Sequence, residues 1–356
     1  MYNFVTLGGT CLSRLKSLNQ HINIVEPKDI DDFKKYIDNG YYAIVNGLTN
    51  NQMYDWQEYI SYIEQNNIHL FVDALYESNL MKFHLPESLN TKTTLLIANS
   101  YAKNHRYFDN VITTPYFLLQ SYILWEELDN KFLNFDDHIN QSKKSFLCLN
   151  GVNKPSRRFT YTYLKENNII NDAIFSFHNR HSAQDLIDKY PTVKLKNDTF
   201  DNDDGVTWDN TFNLDWFLKT HFNLVTESTA ENDSSTGTMP VQILDNCFFP
   251  TEKTFKPIAN CHPFIAISDI NFYKNLENDL GFEIYDEIWN YDFDNTTDKE
   301  VRWKEVLDQV KYVSQQGIDY NLIKEKLIHN QQRFFDNQRN KNILDDFLNQ
   351  IDNVPK

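Results

Sequence analysis

Residues 145–158 read SFLCLNGVNKPSRR. The first five, SFLCL, form a short continuous apolar run, the pattern of a strand buried on both faces of a parallel sheet. Asn150-Gly151 supplies the turn chemistry that closes such a strand. Residues 158–167 then carry a helical pattern. A buried strand, a tight turn and a helix in succession are the first half of a βαβ unit. The turn itself, Asn153-Lys154-Pro155-Ser156-Arg157-Arg158, carries three cations in a chain whose formal charge is -16. The free N–H groups of a helix start and the guanidinium fork of arginine both bind phosphate-like oxygens. The turn is therefore read as an anion site, with ordinary surface charge as the competing reading of the segment taken alone.

The same alternation extends in both directions. Upstream, short β-branched and aromatic runs stand at residues 3–7 (NFVTL), 21–25 (HINIV), 42–45 (YAIV), 69–72 (HLFV), 94–98 (TLLIA) and 111–113. Helical patterns at 29–38 and 52–65 separate some of them, and an apolar helix is expected over 115–132. Residues 134–144 are polar and charged and read as a linker. Downstream, strands are expected at 173–177, 222–226 (FNLVT) and 263–267 (PFIAI). Helices are expected at 215–220, from 251, and at 272–280, where Gly281 is a natural C-cap. From 301 onward the chain reads as mostly helix, with one long segment over 321–351. Strands alternating with helices predict an α/β fold with two Rossmann-like lobes, at 1–142 and 143–315, and a helical C-terminal segment at 316–356. Ligands of such sheets bind outside the carboxyl ends of the strands, and two lobes facing each other would leave a cleft.

The composition excludes other classes. In 356 residues, 41% hydrophobic and 15% aromatic content with only 9 Gly and 10 Pro argues against disorder and against collagen-like sequence. The length favours two cores. The negative charge argues against a surface that adheres to nucleic acid or anionic lipid. The abundance of Asn, Lys, Ile, Tyr and Phe is read as the codon usage of an AT-rich genome. Four scattered cysteines (Cys11, Cys148, Cys247, Cys261) without a CxxC pair read as a reduced, intracellular chain. The start, MYNFVTLGG, lacks the marks of a signal peptide. No apolar run reaches the 18 residues of a membrane span.

Two further segments join the basic turn. In Phe222-Asn223-Leu224-Val225-Thr226-Glu227-Ser228 a carboxylate follows a buried strand. In Thr251-Glu252-Lys253, Thr251 suits an N-cap and Glu252 the first turn, whereas Lys253 opposes the helix dipole unless an anion is bound. Taken in order, these segments resemble the donor-binding lobe of GT-B glycosyltransferases, closest to the α1,3-fucosyltransferase family. That family carries an Asn-x-Pro-x-Arg type turn, a Phe-x-Leu-x-x-Glu strand end, and a Thr-Glu-Lys helix start before a Pro-led strand. Here they stand at Asn153 to Arg157, Phe222 to Glu227, Thr251 to Lys253 and Pro263 to Ile267.

The resemblance covers roughly residues 145–270. It implies that Asn153, Lys154, Arg157, Arg158, Glu227, Thr251, Glu252 and Lys253 form the donor site. Within it, Arg157 and Lys253 would hold the diphosphate, Glu252 the ribose hydroxyls, and Glu227 the sugar or ribose. It also implies inversion without a metal or other cofactor, a nucleotide-diphosphate-sugar as co-substrate, a glycan or other hydroxyl acceptor, and a C-terminal helix packed back on the first lobe. With no membrane anchor, a cytoplasmic enzyme of microbial or viral type is expected. An inverting enzyme needs a general base, and Asp73 and Glu77, after the strand HLFV, are the candidates; either could instead be a solvated or capping acid. Phe249-Pro250 before Thr251, and Thr226 and Ser228 around Glu227, depart from the family and leave donor base and sugar open.

Other signals compete. Asp292-Phe293-Asp294 is a DxD, which binds metal in GT-A enzymes but arises readily by chance in an acidic chain. Gly8-Gly9-Thr10-Cys11 reads as a Gly-rich turn in preference to a cysteine nucleophile. His262 is expected in core or loop, and Trp56, Trp208, Trp216, Trp289 and Trp303 in the core or stacked on sugar. A non-catalytic nucleotide- or carbohydrate-binding protein of the same fold remains the main alternative. A phage-type DNA-modifying sugar transferase is a third reading, disfavoured by the charge and testable by the salt dependence of DNA binding.

Overall fold

The computed structural model describes residues 1–8, 10–46, 57–75, 92–98, 110–127, 132–138, 144–150, 154–177, 214–227 and 248–354. The chain divides into two compact units. Unit 1 comprises the described parts of Met1–Ile123, Asn232–Phe249 and Asp336–Lys356. Unit 2 comprises those of Leu124–Glu231 and Pro250–Phe335.

Unit 1 is built on a six-stranded sheet of β1 (Tyr2–Leu7), β2 (Ile22–Val25), β3 (Tyr42–Asn46), β4 (Leu70–Ala74), β5 (Thr93–Ala98) and β6 (Asn110–Thr114). The order is β2-β1-β3-β4-β5-β6, and every pairing is parallel. Helices α1 (Ile30–Asp38) and α2 (Gln57–Gln65) lie between strands, and α3 (Tyr116–Glu127) follows β6, with its residues from Leu124 on counted in unit 2. All six residues of β5 are buried, the signature of a strand covered on both faces. Val5, Phe33, Val45, Ile63, Val72 and Leu95 lie in one core cluster, joining strands to α1 and α2.

Unit 2 holds a four-stranded parallel sheet, β10-β9-β7-β8. Its strands are β7 (Lys144–Asn150), β8 (Ala173–Phe177), β9 (Thr220–Thr226) and β10 (Phe264–Ile267). Its helices are α4 (Pro155–Glu166), α5 (Leu214–Leu218), α6 (Glu252–Ala259), α7 (Phe272–Asn278), α8 (Lys299–Gln316) and α9 (Lys324–Phe334). Trp289 and Trp303 are core residues, 1% and 2% exposed. The molecule is thus a mixed α/β protein with two parallel sheets, as expected of Rossmann-like lobes. Among the described residues no helix is long and apolar enough to cross a membrane.

Two boundaries differ from expectation for physical reasons. Helix α4 starts at Pro155 because proline suits the first helical position, where no N–H is needed. The single helix expected over 321–351 is two helices, α9 and α10 (Asn337–Asp352), because the Asp336 side chain accepts from Arg339 N and opens a new helix. Helix α10 belongs to unit 1 and packs along β6. Tyr2 donates its hydroxyl to Asn349 Oδ1 at 3.0 Å and Tyr42 to Asp352 Oδ1 at 2.5 Å. Burial and the Asp352 carboxylate push the Tyr42 phenol well above its ordinary range.

Gly281 follows α7 with φ +64°, its N–H on Glu277 O at 2.8 Å. A Cβ there would collide with the Arg333 guanidinium. Gly281→Ala is expected to cost about 1–2 kcal/mol, from the left-handed conformation and the displaced arginine. Equilibrium urea unfolding measures it, and a change below about 0.5 kcal/mol would contradict this account.

Candidate functional site

Among the described strands of unit 2, the connections leave in opposite directions at β7 and β9: β8 lies on one side of β7, and β9 and β10 on the other. This is the switch point at which open α/β sheets bind ligands. The two carboxyl ends are tied together there by Thr226 Oγ1 donating to Asn150 Oδ1 at 2.5 Å. Neither partner announced itself as a pair in sequence, since they stand 76 residues apart.

The basic turn lies directly beyond β7. Asn153 falls outside the described residues. Lys154 occupies the N-cap of α4 without a side-chain cap and is half-buried. Arg157 is 3% exposed, whereas Arg158, next in sequence, is exposed. One helical step thus sends one guanidinium inward and the other to solvent. Arg157 acts electrostatically on the Cys148 thiol of β7, which burial nevertheless pushes up to about 12. Of the three cations of the turn, Arg157 is the one set into the protein.

Glu227 is the first residue beyond β9 and is fully buried. Its backbone N–H continues the strand pairing by donating to Ile267 O. Its carboxylate accepts three hydrogen bonds: Thr251 N at 3.0 Å, Thr251 Oγ1 at 2.5 Å and Thr254 Oγ1 at 2.5 Å. Glu227 therefore anchors the start of α6 to the end of β9. Thr251 is the N-cap of α6, as its sequence position suggests. Thr254 was not legible, because its partner is 27 residues away.

The anchored helix start presents Glu252 and Lys253. Lys253 Nζ donates to Glu252 Oε1 at 2.7 Å and to Thr251 Oγ1 at 3.0 Å. Glu252 is 3% exposed, and its second oxygen, Oε2, has no hydrogen-bond partner among the described residues. A buried carboxylate oxygen left without a donor is costly, and such atoms call for a ligand or a water. Glu227, Thr251, Glu252 and Lys253 are thus one contiguous group. Arg157 stands beyond the adjoining strand β7, and Arg158 points away.

In unit 1, Asp73 lies on β4 and is fully buried. Its Oδ2 accepts from Thr10 Oγ1 at 2.5 Å and Cys11 N at 2.6 Å, and its Oδ1 from Leu75 N at 3.1 Å. Burial raises its pKa above the ordinary carboxylate value, against these hydrogen bonds, which lower it. Asp73 thereby fastens the turn after β1, and an acceptor hydroxyl would have to compete with three existing donors. Glu77 lies outside the described residues, as do Ser228, Trp56 and Trp208.

The competing signals resolve into structural roles. Asp294 accepts from Tyr273 N and Lys274 N and so caps α7, while Asp292 accepts from Asn290 Nδ2. His262 is buried with Nε2 on Thr220 O at 2.9 Å. Among the described residues no group of three or more His, Cys, Asp or Glu side chains is placed to hold a metal. Comparison of the chain with protein-family models, curated proteins and solved structures returns no match.

Proposed function

We propose that the chain is an inverting, metal-independent glycosyltransferase of GT-B organisation. Unit 2 is its donor lobe, binding a nucleoside-diphosphate sugar, and unit 1 is its acceptor lobe. The observation that carries the reading is Glu252, whose buried Oε2 has no hydrogen-bond donor among the described residues and stands beside the Lys253 ammonium. A vicinal diol such as that of ribose supplies the missing donors, while Lys253 and the inward-facing Arg157 suit the diphosphate. The start of α4, whose N-cap makes no side-chain cap, adds N–H groups that favour an anion, whereas the start of α6 is already engaged by Glu227 and the Thr251 hydroxyl.

The chemistry balances as follows. The acceptor oxygen forms a bond to the anomeric carbon as the bond from that carbon to the diphosphate oxygen breaks. The electron pair leaves with the diphosphate, where fixed cations stabilise the growing charge. The acceptor proton passes to a general base of unit 1. With Asp73 engaged by three donors, Glu77 is the first residue to substitute in testing for that base.

The test is a thermal-shift series with GDP, UDP, CDP, ADP and dTDP, with and without EDTA. A ligand that binds only the folded chain raises its stability. One diphosphate is expected to give a clear shift that EDTA does not change. Arg157→Ala and Lys253→Ala are each expected to weaken it about a hundredfold, or about 2.7 kcal/mol, and Glu252→Gln about tenfold. No shift from any of the five would remove the donor site. A non-catalytic nucleotide-binding protein is the second reading, favoured by the engaged state of Asp73. It predicts the same shifts with no turnover of nucleotide-sugar.

A further inference from the structure

Helix α6 begins in the candidate site, and its other end is fastened by histidines. His138 and His262 are 1% and 0% exposed, and their rings stand 5.2 Å apart. His138 Nε2 donates to Asn260 O at 2.7 Å, and His262 Nε2 donates to Thr220 O at 2.9 Å. A carbonyl only accepts, so each ring carries a proton on Nε2 whether neutral or charged. Asn260 is the C-cap of α6, and its Oδ1 accepts from Leu133 N at 3.1 Å. Gln331 of α9 donates its Nε2 to Leu133 O and to Ala259 O, both at 2.7 Å. The segment 132–138 is thereby bound to the end of α6. His262 binds the turn after α6 to the first residue of β9.

The groups facing the two rings are mostly neutral. The Phe217 ring of α5 lies 5.3 Å from His262, and the Tyr320 ring is stacked on His138 at 6.1 Å. Tyr320 donates its hydroxyl to His221 O, and burial holds its phenol above its ordinary range. The His221 ring stands 6.5 Å from Tyr320. Burial pushes the Cys261 thiol up to about 12. Among charged side chains, Asp137 is exposed and accepts from Asn134 N, and Lys324 Nζ of α9 sits 4.8 Å over the Phe135 ring. Asp137 and the carbonyl end of α6 favour a charged ring, whereas Lys324 and burial oppose it. A carboxylate in water and the end of an eight-residue helix weigh less than taking an imidazolium out of water. A second imidazolium would also repel the first across 5.2 Å.

We propose that His138 and His262 form an acid-sensitive latch on α6, closed while both rings are neutral. A histidine in water takes up a proton below about pH 6.5. The released state therefore binds more protons than the closed one in mild acid. The closed state loses stability as pH falls below that value and regains it as pH rises. The other end of α6 presents Glu252 and Lys253. Release of the latch thus loosens the candidate site in mild acid, whatever ligand that site takes.

The experiment uses the full-length chain without ligand, as wild type, His138→Gln, His262→Gln and the double variant. A glutamine amide can place an N–H where Nε2 stands and does not titrate, so the bonds to Asn260 O and Thr220 O are kept. Urea unfolding is followed from pH 7.5 to 5. The unfolding constant of the wild type, divided by that of the double variant, is expected to rise about tenfold per pH unit for each histidine below about pH 6. The ratio cancels His69, which burial also disfavours in its charged form. Each single variant should retain half of the logarithmic slope. Hydrogen exchange of wild type, corrected for the intrinsic effect of pH, should show segments 132–138 and 256–262 losing protection before the rest of unit 2. A ratio that does not change with pH, or that falls as pH falls, would overturn the latch. If the variants do not fold, the wild-type exchange decides: protection in these two segments that is unchanged down to pH 5 would overturn it equally.

Discussion

Glu227→Ala is expected to destabilise unit 2 by about 4 kcal/mol. The carboxylate receives one N–H and two hydroxyls, all buried, and so ties the end of β9 to the start of α6. Each buried donor left unsatisfied costs about 1–3 kcal/mol. The two threonine hydroxyls can turn to other acceptors, which keeps the total below the sum of three full penalties. Glu227→Gln keeps one acceptor oxygen but turns an amide N–H₂ toward Thr251, so about 2 kcal/mol is expected. Urea unfolding followed through Trp289 and Trp303, both buried in unit 2, reads both variants. A loss below about 1 kcal/mol in the alanine variant would refute the anchoring role. If Glu227 instead touches the donor, the glutamine variant will hold its stability and lose nucleotide-sugar binding.

Asp73→Asn is the counterpart in unit 1, with an expected loss of about 3 kcal/mol. Its Oδ2 collects both the Thr10 hydroxyl and the Cys11 N–H, and an amide nitrogen there would face the Cys11 donor head-on. The pH dependence has a definite sign. Burial holds the folded-state pKa above the ordinary value of 3.8. Between that value and the raised one the folded chain retains the proton and the unfolded chain has lost it. Asp73 therefore contributes most below pH 3.8, and its contribution declines as pH rises through the folded value. The margin of wild type over the asparagine variant should be widest near the acid limit of folding and narrow toward neutrality. A margin that widens with pH would show that the hydrogen bonds outweigh burial.

The sheets were legible because their strands are short runs of β-branched and aromatic residues, and parallel strands are buried on both faces. NFVTL, SFLCL, FNLVT and PFIAI all form strands close to where they read. Helix caps were legible where the capping atom is local, as with Thr251 and the Gly281 stop. Asp336 could have been read the same way, since Asp before Asn-Gln-Arg is an ordinary N-cap signal. The bonds that shape the candidate site were not legible, because they join distant positions: Thr10 with Asp73, Asn150 with Thr226, Glu227 with Thr254. Sequence placed carboxylates at strand ends without showing that each would be consumed by a neighbouring threonine. It also gave no hint that Arg157 and Arg158 differ, which follows from one 100° step of α4.

The way α10 completes unit 1 bears on how the protein is made. The helix that Tyr2 and Tyr42 hold through Asn349 and Asp352 is translated after all of unit 2. At about 5–20 residues per second, the roughly 210 residues between Ile123 and Asp336 occupy a ribosome for about 10–40 s. Throughout that interval the nascent β6 lacks the helix that covers it, whereas unit 2 is finished before the last helix emerges. The N-terminal sheet must therefore wait on the C-terminal residues, and a released chain truncated near Phe335 would carry every segment of its second unit while its first one stayed open.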